Sequence, residues 1–191
     1  RAAEPRVAGT EGEDEAMEPE VVSHRIAPVF DARSRVLVLG TMPSPASRAR
    51  GFYYGHPQNR FWKVLGALFD EPEPLGTDTR KAFLLAHGIA LWDVLASCEI
   101  VGASDASISR AVPNDLRLIA DAARIEAVFT TGAKAASLYR RLCAGMLPDA
   151  AHVPLPSTSP ANARMRLADL VAAYRPLKEA IMGPSGREKE K

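Results

Sequence analysis

An α/β fold is what the sequence predicts, with a short, mostly parallel four-stranded sheet between two helical layers. Three observations predict it. Apolar, β-branched runs of strand length recur along the chain, segments of helical periodicity separate them, and Gly/Pro/Ser-rich loops follow them.

The first strand is Arg35-Val-Leu-Val-Leu39, a run buried on both faces that ends in Gly40-Thr41. Asn59 to Phe69 carries apolar residues at 61, 62, 64, 65, 68 and 69, which is a helical pattern. After the Pro-rich break at 71–74, Thr77 or Asp78 can cap a helix that runs to His87 and stops at Gly88. Ile89 to Leu95 is the second strand. Gly102 to Ser109 reads as a small-residue loop, and Pro113 as the first position of a helix reaching about Arg124. Ile125 to Thr130 is the third strand, and Gly132 opens a helix over 133–144. His152 to Leu155 is a fourth, short strand. A last helix spans 163–182, with a kink expected at Pro176.

The composition fits one soluble globular domain: 47% of the 191 residues are hydrophobic and 25% charged. No apolar run approaches the ~18 residues of a membrane span. Residues 1–24 lack hydrophobic periodicity, and six of the ten positions from Glu11 to Glu20 are acidic. They read as a disordered acidic leader rather than a signal peptide, ahead of a domain over 25–183 and a disordered tail over 184–191. The expected location is cytoplasmic, associated with the nucleoid during work on DNA, and the expected state is a monomer. Residues 1–25 carry −4 and residues 184–191 carry +1 within a total of +1, so residues 26–183 carry +4. A mildly basic domain permits a nucleic-acid partner without demanding one. Cys98 and Cys143 form no CxxC pair and read as reduced, buried thiols. His and Cys are too sparse for a convincing zinc site, and two cysteines exclude a four-cysteine iron–sulfur cluster. Neither GxGxxG nor a P-loop occurs, which disfavours a nucleotide-binding protein.

Ligands of such sheets bind beyond the carboxyl ends of the strands. Two loops leave that edge with chemistry to offer, 40–58 and 156–162. The first contains Gly40-Thr-Met-Pro-Ser44 and Phe52-Tyr-Tyr-Gly-His-Pro-Gln-Asn-Arg-Phe-Trp62. Its adjacent aromatics either pack on the body or form a stacking platform for a flipped base. Asn59 sits where a helix begins, a cap position that can also hold a functional carboxamide firmly. In the second loop, Ser157, Thr158 and Ser159 can donate to phosphate oxygens and Arg164 can pair with another. Taken alone, that loop reads first as a proline-stiffened connection. Asp93 reads as a cap or ion-pair partner ahead of catalysis, His56 as loop architecture ahead of phosphate contact, and Lys134 as a solvated residue.

Gly40-Thr-Met-Pro-Ser44, His56-Pro-Gln-Asn-Arg-Phe-Trp-Lys63 and Leu155-Pro-Ser-Thr-Ser159 together resemble the uracil-DNA glycosylase superfamily. The resemblance spans about residues 26–182. The His-Pro-Gln-Asn-Arg-Phe-Trp stretch is specific; the Ser/Thr/Pro loop alone is weak. That stretch looks like the mismatch-specific uracil branch, whereas the whole pattern is more similar to the hypoxanthine-DNA glycosylase branch. Met42 stands where the mismatch-specific enzymes carry a water-positioning Asn, and a thioether cannot orient water in that way. The Asp of the classical uracil enzymes is missing as well. Ser157 stands where their second motif has His, and His152 lies too early to replace it.

The resemblance therefore implies Asn59 as the catalytic residue of a monofunctional, cofactor-free hydrolase. Its oxygen would accept from the attacking water while its dipole favours the sugar cation. Gly40, Thr41, Met42, Pro43 and Ser44, with Tyr53 and Tyr54, would bind the base, and Tyr54 takes the stacking place. Backbone N–H and C=O groups of 41–44 would read its edge. His56, Ser157, Thr158, Ser159, Pro160, Asn162 and Arg164 would contact double-stranded DNA, with Pro160 or Ala161 wedging into the gap left by the base. No metal is implied. A mismatch-type uracil enzyme and a non-catalytic damaged-DNA sensor are the competing readings.

Overall fold

The computed structural model describes residues 17–183. Its centre is a four-stranded, all-parallel sheet made of β2 (Val36–Gly40), β3 (Ile89–Asp93), β6 (Ala127–Thr131) and β7 (Ala151–Leu155), in the order β3-β2-β6-β7. These are the four strands the apolar runs predict. β2 is central, pairing Gly40 with Asp93 on one side and Leu39 with Thr130 on the other. All five residues of β2, β3 and β6 are buried, as expected of parallel strands covered on both faces.

Helices cover the sheet. α2 (Phe61–Leu68) buries six of its eight residues, among them Phe61 and Trp62, each at most 1% exposed. Trp62 also donates its indole N–H to the Tyr53 carbonyl (3.1 Å), so this large ring is buried without an orphaned donor. α5 (Ala133–Leu142) follows β6, as Gly132 predicts, with Gly132 at φ +93° where a side chain would be strained. α3 (Thr77–Ala86) begins at Gly76 rather than under a Thr77 or Asp78 cap; Asp78 lies within its first turn.

Several expectations need correction. Glu20–Ser23 lies inside the segment assigned to a disordered leader but forms β1, antiparallel to β4 (Leu95–Ile100). Residues 1–16 and 184–191 of the expected leader and tail lie outside the described residues. β4 follows β3 after the single residue Val94, whose N–H donates to the Gly40 carbonyl. There the chain leaves the parallel sheet and enters a second, three-stranded antiparallel one, in which β4 lies between β1 and the strand Ser109–Pro113 (β5).

Pro113 does not open a helix. It ends the edge strand β5 (Ser109–Pro113), a place that tolerates a missing N–H. Asn114 then ties the chain back by donating to the carbonyls of Asp93 (2.9 Å) and Leu95 (3.0 Å), which leaves only the short helix α4 (Arg117–Ala120). Loop 40–58 contains an unforeseen helix, α1 (Pro45–Arg50), capped by the Ser44 hydroxyl. The last helix is two, α6 (Leu167–Ala173) and α7 (Arg175–Met182). They divide at buried Tyr174, with Pro176 in the first turn of α7, where its missing N–H costs nothing.

Candidate active site

Gly40, Asp93, Thr131 and Leu155 end the four parallel strands along one edge. The two chemistry-bearing loops leave this edge and are bonded to each other. The Arg60 N–H donates to the Thr158 carbonyl (3.1 Å), and the Thr158 hydroxyl donates to Asn59 Oδ1 (2.9 Å). Asn59 Oδ1 also accepts from the Phe61 N–H (3.0 Å).

This corrects the expected use of Asn59. A carbonyl oxygen has two lone pairs, and both are engaged by protein donors. The Phe61 N–H can only donate, so it fixes the oxygen on that side of the carboxamide. The Asn59 Nδ2 amide has no partner among the described residues. Asn59 therefore presents a donor to the site, not an acceptor for water.

Arg60 was not singled out from sequence, and it organises the second loop. Its guanidinium donates to the carbonyls of Ser159 (2.9 Å), Asn162 (2.9 Å), Met165 and, more weakly, Thr158 (3.4 Å). The planar fork of Arg suits such convergent acceptors. Tyr174 adds a bond from its hydroxyl to the Pro156 carbonyl (2.8 Å). Within the loop, Ser157 Oγ accepts from the Ser159 N–H and Ser159 Oγ from the Ala161 N–H, which leaves both hydroxyl protons free to donate. Pro160 and Arg164 are exposed. Thr158 is 1% exposed and commits its hydroxyl to Asn59, so it supports Asn59 and cannot serve as the phosphate contact expected of it. Asn162 donates its amide to the Ser157 carbonyl (2.9 Å). His56 Nδ1 accepts from the Gln58 N–H (3.1 Å), and Nε2 has no hydrogen-bond partner among the described residues.

The two tyrosines part company. Tyr54 sits at φ +51°, stacks on Phe61 (ring centroids 3.8 Å apart, 14° between planes) and shares a hydrogen bond with Thr131 Oγ1 (2.8 Å). Its hydroxyl reaches the strand ends, and the residue as a whole is only partly buried. Burial, and secondarily the Asp93 charge, raise the Tyr54 phenol well above its ordinary value, so it stays protonated. Tyr53 is a strut rather than a base-binding surface. It is 2% exposed, and its hydroxyl donates to the carbonyls of Ile26 (3.1 Å) and Ala27 (2.8 Å).

Loop 40–44 is likewise partly committed. The carbonyls of Gly40 and Thr41 accept from Val94 and Leu95, and the Ser44 carbonyl accepts from Arg48. Each of those three oxygens has one of its two lone pairs taken by the main chain. Met42 is partly buried and packs against the core, and Pro43 is buried.

Asp93 and His24 form the pair that sequence reasoning missed. His24 Nε2 lies 2.8 Å from Asp93 Oδ2, and the two side chains are 1% and 6% exposed. A Cβ on Gly40 would stand 2.3 Å from Asp93 Oδ1, so glycine is required there. Asp105, in the 3-10 turn 105–107, is the other carboxyl nearby. Partial desolvation raises its pKa, and the neighbouring Thr41 side chain and the charge of Lys134 partly offset this. Cys98 and Cys143 are free and buried, and burial pushes the Cys143 thiol up to about 11. A separate groove, lined by Glu20, Arg25, Arg48, Phe52 and Lys81 among others, contains none of the candidate site residues named from sequence. Among the described residues, no three His, Cys, Asp or Glu side chains could hold a metal ion, and no helix is long and apolar enough to cross a membrane.

Comparison with known proteins agrees with this geometry. The family model described as the uracil DNA glycosylase superfamily matches residues 27–178. A hypoxanthine DNA glycosylase of Methanosarcina barkeri is 33% identical over 97 residues, which cover 50% of this chain and 61% of that protein. A hypoxanthine DNA glycosylase of Methanosarcina acetivorans is 30% identical over 138 residues, covering 71% and 85%. A solution NMR structure from M. acetivorans, described provisionally as a uracil DNA glycosylase, superposes with a TM-score of 0.69 at 28% identity. It covers 84% of this chain and 100% of its own. With a parallel sheet whose carboxyl edge gathers both motif loops, and a family match over most of its length, the chain belongs to the uracil DNA glycosylase superfamily.

Proposed function

We propose that this member of the superfamily is a monofunctional DNA glycosylase that flips a deaminated base, hypoxanthine foremost, out of double-stranded DNA and releases it by hydrolysis. The observation that carries the reading is Asn59, with its oxygen held by Phe61 and Thr158 and its amide donor left open. The names of the two Methanosarcina relatives support the choice of base.

In this reaction the N9–C1′ bond breaks and the bond from C1′ to a water oxygen forms. The sugar passes through an oxocarbenium-like state while the base takes up negative charge. A donor fixed in advance at the base stabilises that charge without reorganising during the step. We assign this donor to Asn59 Nδ2, whose oxygen is held by Phe61 and Thr158, so that the carboxamide assists departure of the base. The sugar cation is electrophilic enough that water needs position more than deprotonation. The released base ends protonated, and an abasic site remains.

The loop 157–164 offers the exposed Arg164 and the free hydroxyl protons of Ser157 and Ser159 to phosphates, and the exposed Pro160 as a wedge. No lysine is assigned a covalent role, so strand cleavage without added alkali is not expected.

The test is base release from a duplex with one hypoxanthine, beside uracil and adenine controls, using the wild type and Asn59→Ala. Hypoxanthine release that falls at least about a thousandfold in the variant supports the reading. Uracil release in preference to hypoxanthine moves the assignment to the mismatch-type branch. Tight binding with no base released favours a damage sensor.

A further inference from the structure

We propose that the open edge of β1, in the groove beside α1 and α3, is a docking site for the chain's own acidic stretch Glu11 to Glu15, added there as a further strand. β1 is an outer strand of the antiparallel sheet, with β4 on one side only. The His24 N–H donates to the Ala96 carbonyl just past β1 (2.6 Å), so Val22 and Glu20, at steps of two from it, also turn their main-chain groups toward β4. Val21 and Ser23 turn theirs the other way. The N–H and carbonyl groups of these two have no partner among the described residues. Val21 is 74% exposed. An open strand edge with an exposed apolar side chain is a template for another strand.

That edge opens into a groove of about 550 Å³, lined by Val21, Ser23, Arg25, Arg48, Phe52 and Lys81 among others. Its cations set its chemistry. Glu20 at the head of the strand pairs with Arg48 (3.2 Å), so a carboxylate on this edge already meets one of them. Arg25 and Lys81 are exposed and have no ion-pair partner among the described residues. Lys81 lies over the Phe52 ring (5.9 Å), and Phe52 in turn stacks on Trp62 (5.9 Å, 18° between planes). The buried ring holds the Lys81 charge at the groove.

The acidic stretch suits this surface better than the other occupants. Phosphates only accept, so nucleic acid would set acceptors against the Val21 and Ser23 carbonyls. The β1 edge of a second copy would bring two sets of these cations together. Glu11, Glu13 and Glu15 recur at steps of two, which puts three carboxylates on one face of a strand, and Asp14 adds a fourth acid. Five extended residues span about 17 Å, the length of β1 with Arg25 added. The stretch joins the described residues at Met17, whose side chain lies against Gly102, just past the Ile100 that pairs with Glu20. It therefore departs from the head of β1, and one reversal brings it back along the open edge. The tether supplies it at an effective concentration of about millimolar, ahead of any competitor in solution.

The test is amide hydrogen exchange by NMR on the full chain. Val21 and Ser23 are the reporters, and Val22, whose N–H faces β4, is the internal control. Three samples are compared with the wild type: a variant with Glu11→Gln, Glu13→Gln, Asp14→Asn and Glu15→Gln together, a groove variant with Arg25→Gln and Lys81→Gln, and the wild type at high salt. Exchange at Val21 and Ser23 is expected to quicken at least about tenfold in all three, with Val22 unmoved. The two sets of substitutions combined should be no faster than either alone. Equal rates at Val21 and Ser23 in wild type and variants overturn the proposal.

Should the groove variant fail to fold by circular dichroism, a spin label decides. Cys98 and Cys143 are buried, so a label can be directed to Gly12→Cys. It should broaden the amides of Val21, Ser23 and Lys81 within its own chain, and high salt should reverse this. Broadening seen only in unlabelled chains mixed with labelled ones assigns the groove to a second copy's stretch and overturns docking within the chain. Protection of Val21 and Ser23 that appears only on adding duplex DNA overturns it in favour of a nucleic-acid track. None of these readouts depends on base release, so the docking and the glycosylase reading stand or fall separately.

Discussion

The Thr158 hydroxyl donates to Asn59 Oδ1 at 2.9 Å, joining two residues 99 positions apart. Each loop thereby fixes the other's working part: one supplies the carboxamide and the other decides which end of it faces the site. Thr158→Val removes this donor and keeps the shape. Base release should fall about tenfold, in line with one lost hydrogen bond, with little change in the affinity for DNA. Single-turnover kinetics beside a DNA titration would check this; an equal loss in both would refute it.

Arg60→Lys keeps the charge and discards the fork. A lysine cannot reach the carbonyls of Ser159, Asn162 and Met165 together. We expect about 2–3 kcal/mol of destabilisation, seen as a lower urea midpoint, and weaker binding to undamaged DNA because the exposed loop loses its form.

Gly40→Ala tests the close approach at the strand ends. The added Cβ would stand 2.3 Å from Asp93 Oδ1, and His24 prevents the carboxylate from yielding freely. Overpacking of this kind costs about 1–3 kcal/mol. Base release should suffer more than stability, because the displaced group faces the site. Unaltered turnover in a stable variant would contradict that placement.

Acid should weaken the fold in part through His152. Its Nε2 lies 2.9 Å from Thr130 Oγ1, its ring packs on Tyr139, and burial, assisted by the charge of Arg140, holds its pKa below the ordinary 6.5. The folded state therefore resists the proton that the unfolded chain accepts near pH 6.5. Stability from this group is intact above that pH. It declines as pH falls below 6.5, and the loss is complete below the folded value. Thermal melts between pH 7.5 and 5.5 should show the decline, and His152→Gln should flatten part of it.

The four parallel strands are legible in the sequence because each is a continuous apolar run that needs no partner to be noticed. β1 is not, since only Val22 of its four residues is buried and an acidic run leads into it. Asn59 is legible through its motif, but its orientation depends on Thr158, far along the chain. Tyr53 and Tyr54 are adjacent and chemically identical. Only the fold sends one hydroxyl to Ile26 and Ala27 and the other to Thr131. The His24–Asp93 pair spans 69 positions, with its histidine in a segment lacking periodicity, so no local pattern announces it. Pro113 misleads because a helix start and the end of an edge strand both tolerate a missing N–H.

Arg60 grips the second loop through main-chain oxygens alone. Every amino acid carries that oxygen, so the clamp is indifferent to what is written at positions 159, 162 and 165. The contour of the loop and its vocabulary are thus separately inherited. Its outward side chains can be exchanged one at a time, by selection or by an engineer, while the surface that presents them keeps its shape.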